Sequence, residues 1–110
     1  MEQYPPWRRV IRMFPDYGRD YPLWETSTPT WDVGYTTTAA DYGLSEELGE
    51  DLADWQTFWE EHGTGSEGWD TDENRQAWLR EGERLARRLN TEVQEFADVQ
   101  IEFGPRHRRL

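Results

Sequence analysis

Apolar and polar residues recur along the chain with two periods, one typical of strands and one typical of helices. Residues 8–14 point alternately to two sides, and this period of two predicts a first strand that Pro15 ends. Residues 99–103 alternate in the same way and predict a last strand, which Pro105 ends.

The first helical segment covers residues 46–62. Ser45 is a good N-cap, and Gly63 is a typical stop signal. Apolar residues spaced by four, four, three and four positions fall on one helix face. They are Leu44, Leu48, Leu52, Trp55 and Trp59, with Phe58 beside them.

A second helix is predicted after the turn at 63–68. Asp70 is its expected N-cap, Glu73 completes a capping box, and the helix runs to about Phe96. Gly82 interrupts its apolar face at a point where another element could approach closely. Acids and arginines alternate at helical pair spacings on its surface. The expected pairs are Glu83 with Arg87, Arg88 with Glu92, and Arg80 with Glu83.

Residues 16–42 read as a long, aromatic-rich loop, with room for a short strand at 32–37. We expect Trp24, Trp31 and Tyr35 to hold this loop against the core. The whole pattern predicts an α+β fold, in which a two-helix hairpin packs on a small sheet made from the N- and C-terminal strands. The length fits a single domain, 1–110, with residues 1–7 and 104–110 frayed.

Negative charge is concentrated in one window. Residues 41–73 hold twelve acids and no Lys or Arg, while the rest of the chain holds eleven acids and twelve arginines. The net charge is −11 and 15% of the residues are aromatic, whereas disordered acidic chains are poor in aromatics. Clustered like charges oppose compaction, so we infer that the window meets a basic surface on a partner protein. Adaptation to high salt would spread the acids over the whole surface instead.

Five acids of the first helix cluster on the side opposite its apolar face, namely Glu46, Glu47, Glu50, Asp54 and Glu61. Glu46 with Glu50, and Glu50 with Asp54, are like-charge pairs at i,i+4, each costing a helix about 0.2–0.5 kcal/mol. An ordinary solvated face is the alternative to a binding surface. The predicted partner-binding residues are Glu46, Glu47, Glu50, Asp51, Asp54, Glu60 and Glu61, with Tyr42 and Trp69 as aromatic contacts of second rank.

No residue pattern indicates catalysis, a metal or a cofactor. The chain has no Cys, and His62 has no second histidine near it in sequence to complete a zinc set. The acids that follow Asp70 imitate a calcium loop, but Arg75 stands where that loop needs Gly. We therefore predict that the chain is not an enzyme.

The remaining charge and hydropathy features bear on location and partners. No apolar run approaches the roughly 18 residues that a membrane span needs, and arginines interrupt the N-terminus where a signal peptide would be apolar. A cytoplasmic protein is expected. The net charge opposes direct contact with nucleic acid. If the terminal strands are neighbours, their arginines could form a basic patch that binds the acidic face of a second copy of the chain. The members of this patch would be Arg8, Arg9, Arg12, Arg106, Arg108 and Arg109.

Several short strings resemble a family of small acidic bacterial and phage-borne proteins. They are Pro22-Leu23-Trp24, Asp41-Tyr42-Gly43-Leu44-Ser45, Trp55 with Phe58-Trp59, Gly68-Trp69-Asp70, and Glu81-Gly82 with Leu85-Ala86 and Leu89. The family is one of unassigned activity. By class analogy, proteins of this size and charge serve as immunity proteins or antitoxins. The resemblance implies an inhibitor that occludes a basic site on a partner, such as a toxin or nuclease.

Two other functions stay open at this point. One is a DNA mimic that inhibits a DNA-binding or defence protein, which would need acids in two rows. The other is a structural subunit that self-associates through opposite charges.

Overall fold

The computed structural model describes residues 9–17, 21–26, 38–63 and 68–110. Its elements in chain order are β1 (Arg9–Met13), β2 (Leu23–Thr26), a 3-10 helix (Ala39–Tyr42), α1 (Glu46–His62), α2 (Asp72–Val93), β3 (Ala97–Ile101) and β4 (Arg108–Arg109). The predicted α+β class, with two helices and a sheet built from N- and C-terminal strands, is confirmed.

The four strands form one mixed sheet in the order β2-β1-β3-β4. β1 and β3 are parallel at its centre, with Ile11 opposite Val99, and the two outer strands are antiparallel to them. Parallel neighbours need a long crossover connection, and here that connection contains both helices. The alternating residues Ile11, Met13, Val99 and Ile101 are buried in the core that the helices share with the sheet.

Helix α1 begins and ends at the predicted residues. The Ser45 hydroxyl accepts a hydrogen bond from the Leu48 N–H at 3.3 Å, and the Gly63 N–H donates to the Trp59 carbonyl at 2.8 Å. The centre of the predicted apolar face is buried, namely Leu48, Leu52 and Trp55. The hairpin is antiparallel, because early residues of α1 contact late residues of α2 and the reverse.

Helix α2 has a different cap from the predicted one. The Thr71 hydroxyl accepts a hydrogen bond from the Asn74 N–H at 3.0 Å, so the expected capping box of Asp70 and Glu73 is wrong. The Asp70 carboxylate faces His62 instead, at 2.7 Å. The helix also ends before the predicted limit, because the chain turns after Val93 and enters β3.

Two segments that we predicted to be irregular belong to the sheet. Strand β2 lies inside the expected loop, where Leu23 is buried and the Trp24 ring stacks on Phe14 at 4.8 Å. Near the C-terminus, Arg108 and Arg109 pair with β3, so the fraying expected for residues 104–110 does not apply to these two. The predictions for residues 1–7, 32–37, Trp31 and Tyr35 lie outside the described residues.

A buried carboxylate ties three elements together. Glu25 of β2 is fully buried and accepts two hydrogen bonds from the Arg9 guanidinium, at 2.8 and 2.6 Å. It also accepts one from the Tyr42 hydroxyl at 2.8 Å. The hydrogen bond to Glu25 is the main cause that raises the pKa of Arg9. A buried charge is tolerated only when it is paired and hydrogen-bonded, and this one is both.

Candidate partner-binding site

Five acids of α1 form one exposed row, which we call the acidic strip: Glu46, Glu47, Glu50, Asp54 and Glu61. At 3.6 residues per turn they lie within about 100° of each other, on the side away from the buried residues of the helix. None of the five has an ion-pair or hydrogen-bond partner among the residues that the structure describes. The acidic strip is therefore uncompensated within this part of the chain.

Two predicted acids of α1 stand apart from the acidic strip. Asp51 faces α2, where Arg88 lies at 2.8 Å and Arg84 at 3.7 Å, so the chain itself neutralises this carboxylate. Glu60 is exposed, and its carboxylate accepts a hydrogen bond from the Gln56 amide at 3.3 Å.

The two predicted aromatic contacts have different surroundings. Tyr42 is only 6% exposed and its hydroxyl is bonded to Glu25, so its ring belongs to the core. Trp69 is half-buried, and its ring lies 6.3 Å from Phe58 and 5.2 Å from Trp78 between centroids. Only Trp69 retains surface that a partner can contact.

An open groove of about 390 Å³, which we call the interhelical groove, lies between α1 and α2 beside the acidic strip. Its apolar lining comes from Trp55, Phe58, Ala77 and Trp78. Its acidic rim consists of Asp51, Asp54 and Glu81. Because Asp54 belongs both to the rim and to the acidic strip, the two features form one continuous surface.

Trp55 and Trp78 form the floor of the interhelical groove and hold each other in place. The rings of Trp55 and Trp78 stack at 4.2 Å with 4° between their planes. Each indole N–H donates to the backbone carbonyl of the other residue, at 2.9 and 3.1 Å. Gly82 gives them room, since a Cβ there would lie 2.7 Å from Trp55 and from Phe103. The close approach predicted at Gly82 is confirmed.

Sequence reasoning placed Trp55 on the apolar face of the first helix but did not predict the groove. The available signal was the line of Asp51, Asp54 and Phe58 on α1, which runs between the apolar face and the acidic face at helical spacing. Glu81 gave no comparable signal, because its position across the groove depends on how the two helices pack.

Polar side chains connect the end of α1 with the residues just before α2, next to the groove. The His62 ring at the end of α1 lies 2.7 Å from the Asp70 carboxylate and 4.5 Å from the Phe58 ring, between centroids. The hydrogen bond from His62, followed by that from Asn74, lowers the pKa of Asp70.

The positive charges are mostly paired within the chain. Of the ten arginines in the described residues, seven lie within ion-pairing distance of a carboxylate. The proposed basic patch is compensated at four members: Arg9 by Glu25, Arg12 by Glu102, Arg108 by Glu83 and Arg109 by Asp98. Arg8 lies outside the described residues, and Arg106 is exposed.

The pairs predicted within α2 are replaced by contacts between elements. Glu83 pairs with Arg108 of β4, and Arg88 pairs with Asp51 of α1. Short-range pairs form at other positions of α2, between Arg84 and Glu81 at 2.6 Å and between Arg75 and Asp72 at 3.8 Å. Tertiary packing, and not spacing within α2, therefore decides the partners of Glu83 and Arg88.

The described residues contain neither a metal-binding cluster nor a membrane-spanning helix. No group of three or more His, Asp or Glu side chains among them is placed to hold a metal ion. No helix in the same residues combines the length and apolar character that crossing a membrane requires. The acids that imitate a calcium loop lie largely on α2, where they are helical.

The fold and this surface define a class: a small acidic α+β protein whose arginines are mostly neutralised internally and whose first helix presents unpaired carboxylates. The Serratia CdiI immunity protein-like family model matches residues 9–104. The chain belongs to this family, which confirms the resemblance to immunity proteins. Membership implies a contact-dependent inhibition immunity protein that binds a toxin. A search of the curated proteins gave no match.

Proposed function

We propose that this chain neutralises its toxin by laying the acidic strip over a basic site on the toxin surface. The mechanism is occlusion of that site and requires no chemistry by the chain itself. One observation carries the proposal: the five acids of the strip are exposed and have no partner among the described residues, although seven of the ten described arginines are paired elsewhere. The proposed place of action is the cytoplasm.

The strip has an energetic reason to accept cations. The like-charge pairs Glu46–Glu50 and Glu50–Asp54 each destabilise α1 by about 0.2–0.5 kcal/mol. Glu61 lies in the last turn, where the helix dipole disfavours an anion by about 0.3–1 kcal/mol. A cationic partner adds attractions that offset this repulsion, and the negative field of the strip speeds encounter with it at low salt.

The two alternative functions receive less support from the geometry. A second row of carboxylates for DNA mimicry would come from residues 67–73, but Asp70 faces His62 and Asp72 lies 3.8 Å from Arg75. Self-association through opposite charges would use terminal arginines that are paired with their own acids. Both alternatives are outcomes of the test below.

The test uses the cognate toxin domain, which pull-down with the chain from its native host would identify. Coexpression with the chain should protect cells from that domain, and calorimetry should give the affinity of the complex at low and high salt. The double reversal Glu50→Lys/Asp54→Lys should weaken binding by at least about tenfold, or about 1.4 kcal/mol, and reduce its salt dependence.

The matched control is Glu73→Lys/Glu95→Lys, which changes the net charge equally at exposed positions outside the acidic strip. It should change the affinity by less than about twofold, and urea unfolding of both variants would show that they remain folded. Absence of both protection and binding would overturn the proposal. Equal losses of affinity in the two double variants would show that the acidic strip is not the binding surface. Release of the toxin by DNA would favour the DNA-mimic function. Sedimentation of the chain as an oligomer would favour the assembly function.

A further inference from the structure

We propose that the interhelical groove receives a single arginine side chain of the toxin, with the guanidinium against Asp54 and the stem on the aromatic floor. This inference rests on the proposed function, because it names the chemical group by which the same partner is held. It concerns the groove, whereas the proposed function concerns the acidic strip beside it.

The shape of the groove suits one long side chain. Its volume of about 390 Å³ is near the lower end of the roughly 300–1,000 Å³ that small-ligand sites occupy. Phe58 is half-buried at the wall, and Trp55 and Trp78 form the floor. Stacking and two hydrogen bonds already fix the tryptophans, so little ordering is needed when a methylene stem packs against them.

The charge that remains uncompensated at the groove favours a cation. Arg84 makes a two-bond contact with Glu81, at 3.0 and 2.6 Å, so the Glu81 carboxylate is already paired within α2. Arg84 and Arg88 also neutralise Asp51 at one end. Asp54, about one turn further along α1, has no cation beside it among the described residues.

Three rim carboxylates are thus met by two guanidinium groups, which leaves one negative charge for a partner to complement. Arginine fits this site better than lysine. Its planar fork bonds a carboxylate through two N–H groups, and it is more weakly hydrated than an ammonium group when it enters an apolar groove.

The test is an NMR titration of the full chain with the blocked tripeptide acetyl-Gly-Arg-Gly-amide. Matched peptides carry lysine or citrulline, which has nearly the same shape without the charge. The arginine peptide should shift the indole N–H signals of Trp55 and Trp78 and the amide signals of Asp54 and Ala77. Its affinity should exceed that of the citrulline peptide by at least about tenfold, as expected when a charge-assisted pair is lost.

Variants separate the groove from the general negative field. Asp54→Asn removes a rim carboxylate, while Glu61→Gln removes the same charge from a strip position outside the groove. The first should weaken the arginine peptide by at least about fivefold and the second by less than about twofold, because exposed charges are screened. Ala77→Phe should fill the groove and abolish the shifts, with urea unfolding as the check that it folds.

Equal affinities for the arginine and citrulline peptides, or equal effects of Asp54→Asn and Glu61→Gln, would overturn the groove proposal. Those results leave toxin binding by the acidic strip intact. Conversely, failure of the toxin domain to bind would overturn the proposed function, while a selective peptide response would still support a guanidinium site in the groove.

Discussion

Replacing Gly82 with alanine should destabilise this protein, although the same change stabilises most helices. Gly82 lies inside α2 and is buried. In an exposed helix interior, alanine is more favourable than glycine by about 1 kcal/mol. Packing opposes this gain here, and the size of the two effects decides the sign.

The added methyl group would be too close to two rings. Its Cβ would lie 2.7 Å from two Phe103 ring atoms and 2.7 Å from the Trp55 ring, whereas carbon atoms prefer about 3.5–4.0 Å. Trp55 cannot retreat easily, because it stacks on Trp78 and bonds to its carbonyl. Overpacking costs about 1–3 kcal/mol, and two hindered rings favour the upper limit. After the gain from helix propensity, the expected net loss is about 2 kcal/mol.

Urea unfolding followed by tryptophan fluorescence would measure this loss. Gly49→Ala is the matched control in α1, since among the described residues its Cβ would meet only the Ala39 Cβ, at 3.1 Å. That contact asks for a shift of a few tenths of an ångström, so Gly49→Ala should be more stable than Gly82→Ala. Gly82→Ala should also move the indole N–H signals of Trp55 and Trp78. A Gly82→Ala protein as stable as the wild type, with an unchanged denaturant slope, would refute the packing argument.

Two further predictions concern ion pairs. Arg9→Met should cost about 3–5 kcal/mol because it leaves the Glu25 charge buried and unpaired, and adding Glu25→Gln should recover much of the loss. If the double variant is no more stable than the single one, Glu25 is not the cause. The Arg12 guanidinium, by its hydrogen bonds, lowers the pKa of Glu102 below its usual 4.5. The ionised Glu102 carboxylate therefore stabilises the folded state fully above pH 4.5, and this stabilisation is lost as the pH falls through the lowered pKa. Glu102→Gln should make the unfolding free energy less dependent on pH in this acidic range. Parallel curves for the two proteins would contradict this assignment.

The parts of the fold that sequence reasoning predicted are those with local causes. The bounds of α1 follow from Ser45, Gly63 and a four-three-four apolar spacing, all within one helix. The alternation of Ile11 and Met13 likewise needs no knowledge of distant residues. Periodicity and capping act over a few residues, so the sequence contains the full signal for them.

Strand β2 was not predicted, because a charged residue occupies one of its core positions. Glu25 breaks the apolar alternation that marks a half-buried strand. The groups that make its burial tolerable are Arg9 and Tyr42, which are 16 and 17 residues away. A tertiary contact of this kind cannot be recovered from spacing along one strand. The cap at Thr71 was missed for a smaller reason, since Asp70 beside it is an equally suitable cap.

The candidate site also has one part with local causes and one part that depends on tertiary contacts. The acidic strip could be predicted, because helix periodicity alone places its five members on one side of α1. The ion pairing of Asp51 could not be predicted, because Arg84 and Arg88 reach it from the opposite helix. The interhelical groove was equally hidden, since its lining comes from both helices and exists only when they pack.

The contrast between Asp51 and the acidic strip is the strongest reason to regard the strip as an interaction surface. The chain does not lack cations, since α2 carries Arg80 and Arg87 at exposed positions in addition to the arginines that neutralise Asp51. An acidic surface that served only solubility would work equally well with its charges interspersed, and interspersed charges would avoid the repulsion within α1. The arrangement of charge, and not its amount, therefore demands an explanation. The proposed function supplies one, because a basic site on the toxin would provide in the complex the cations that α2 provides only to Asp51.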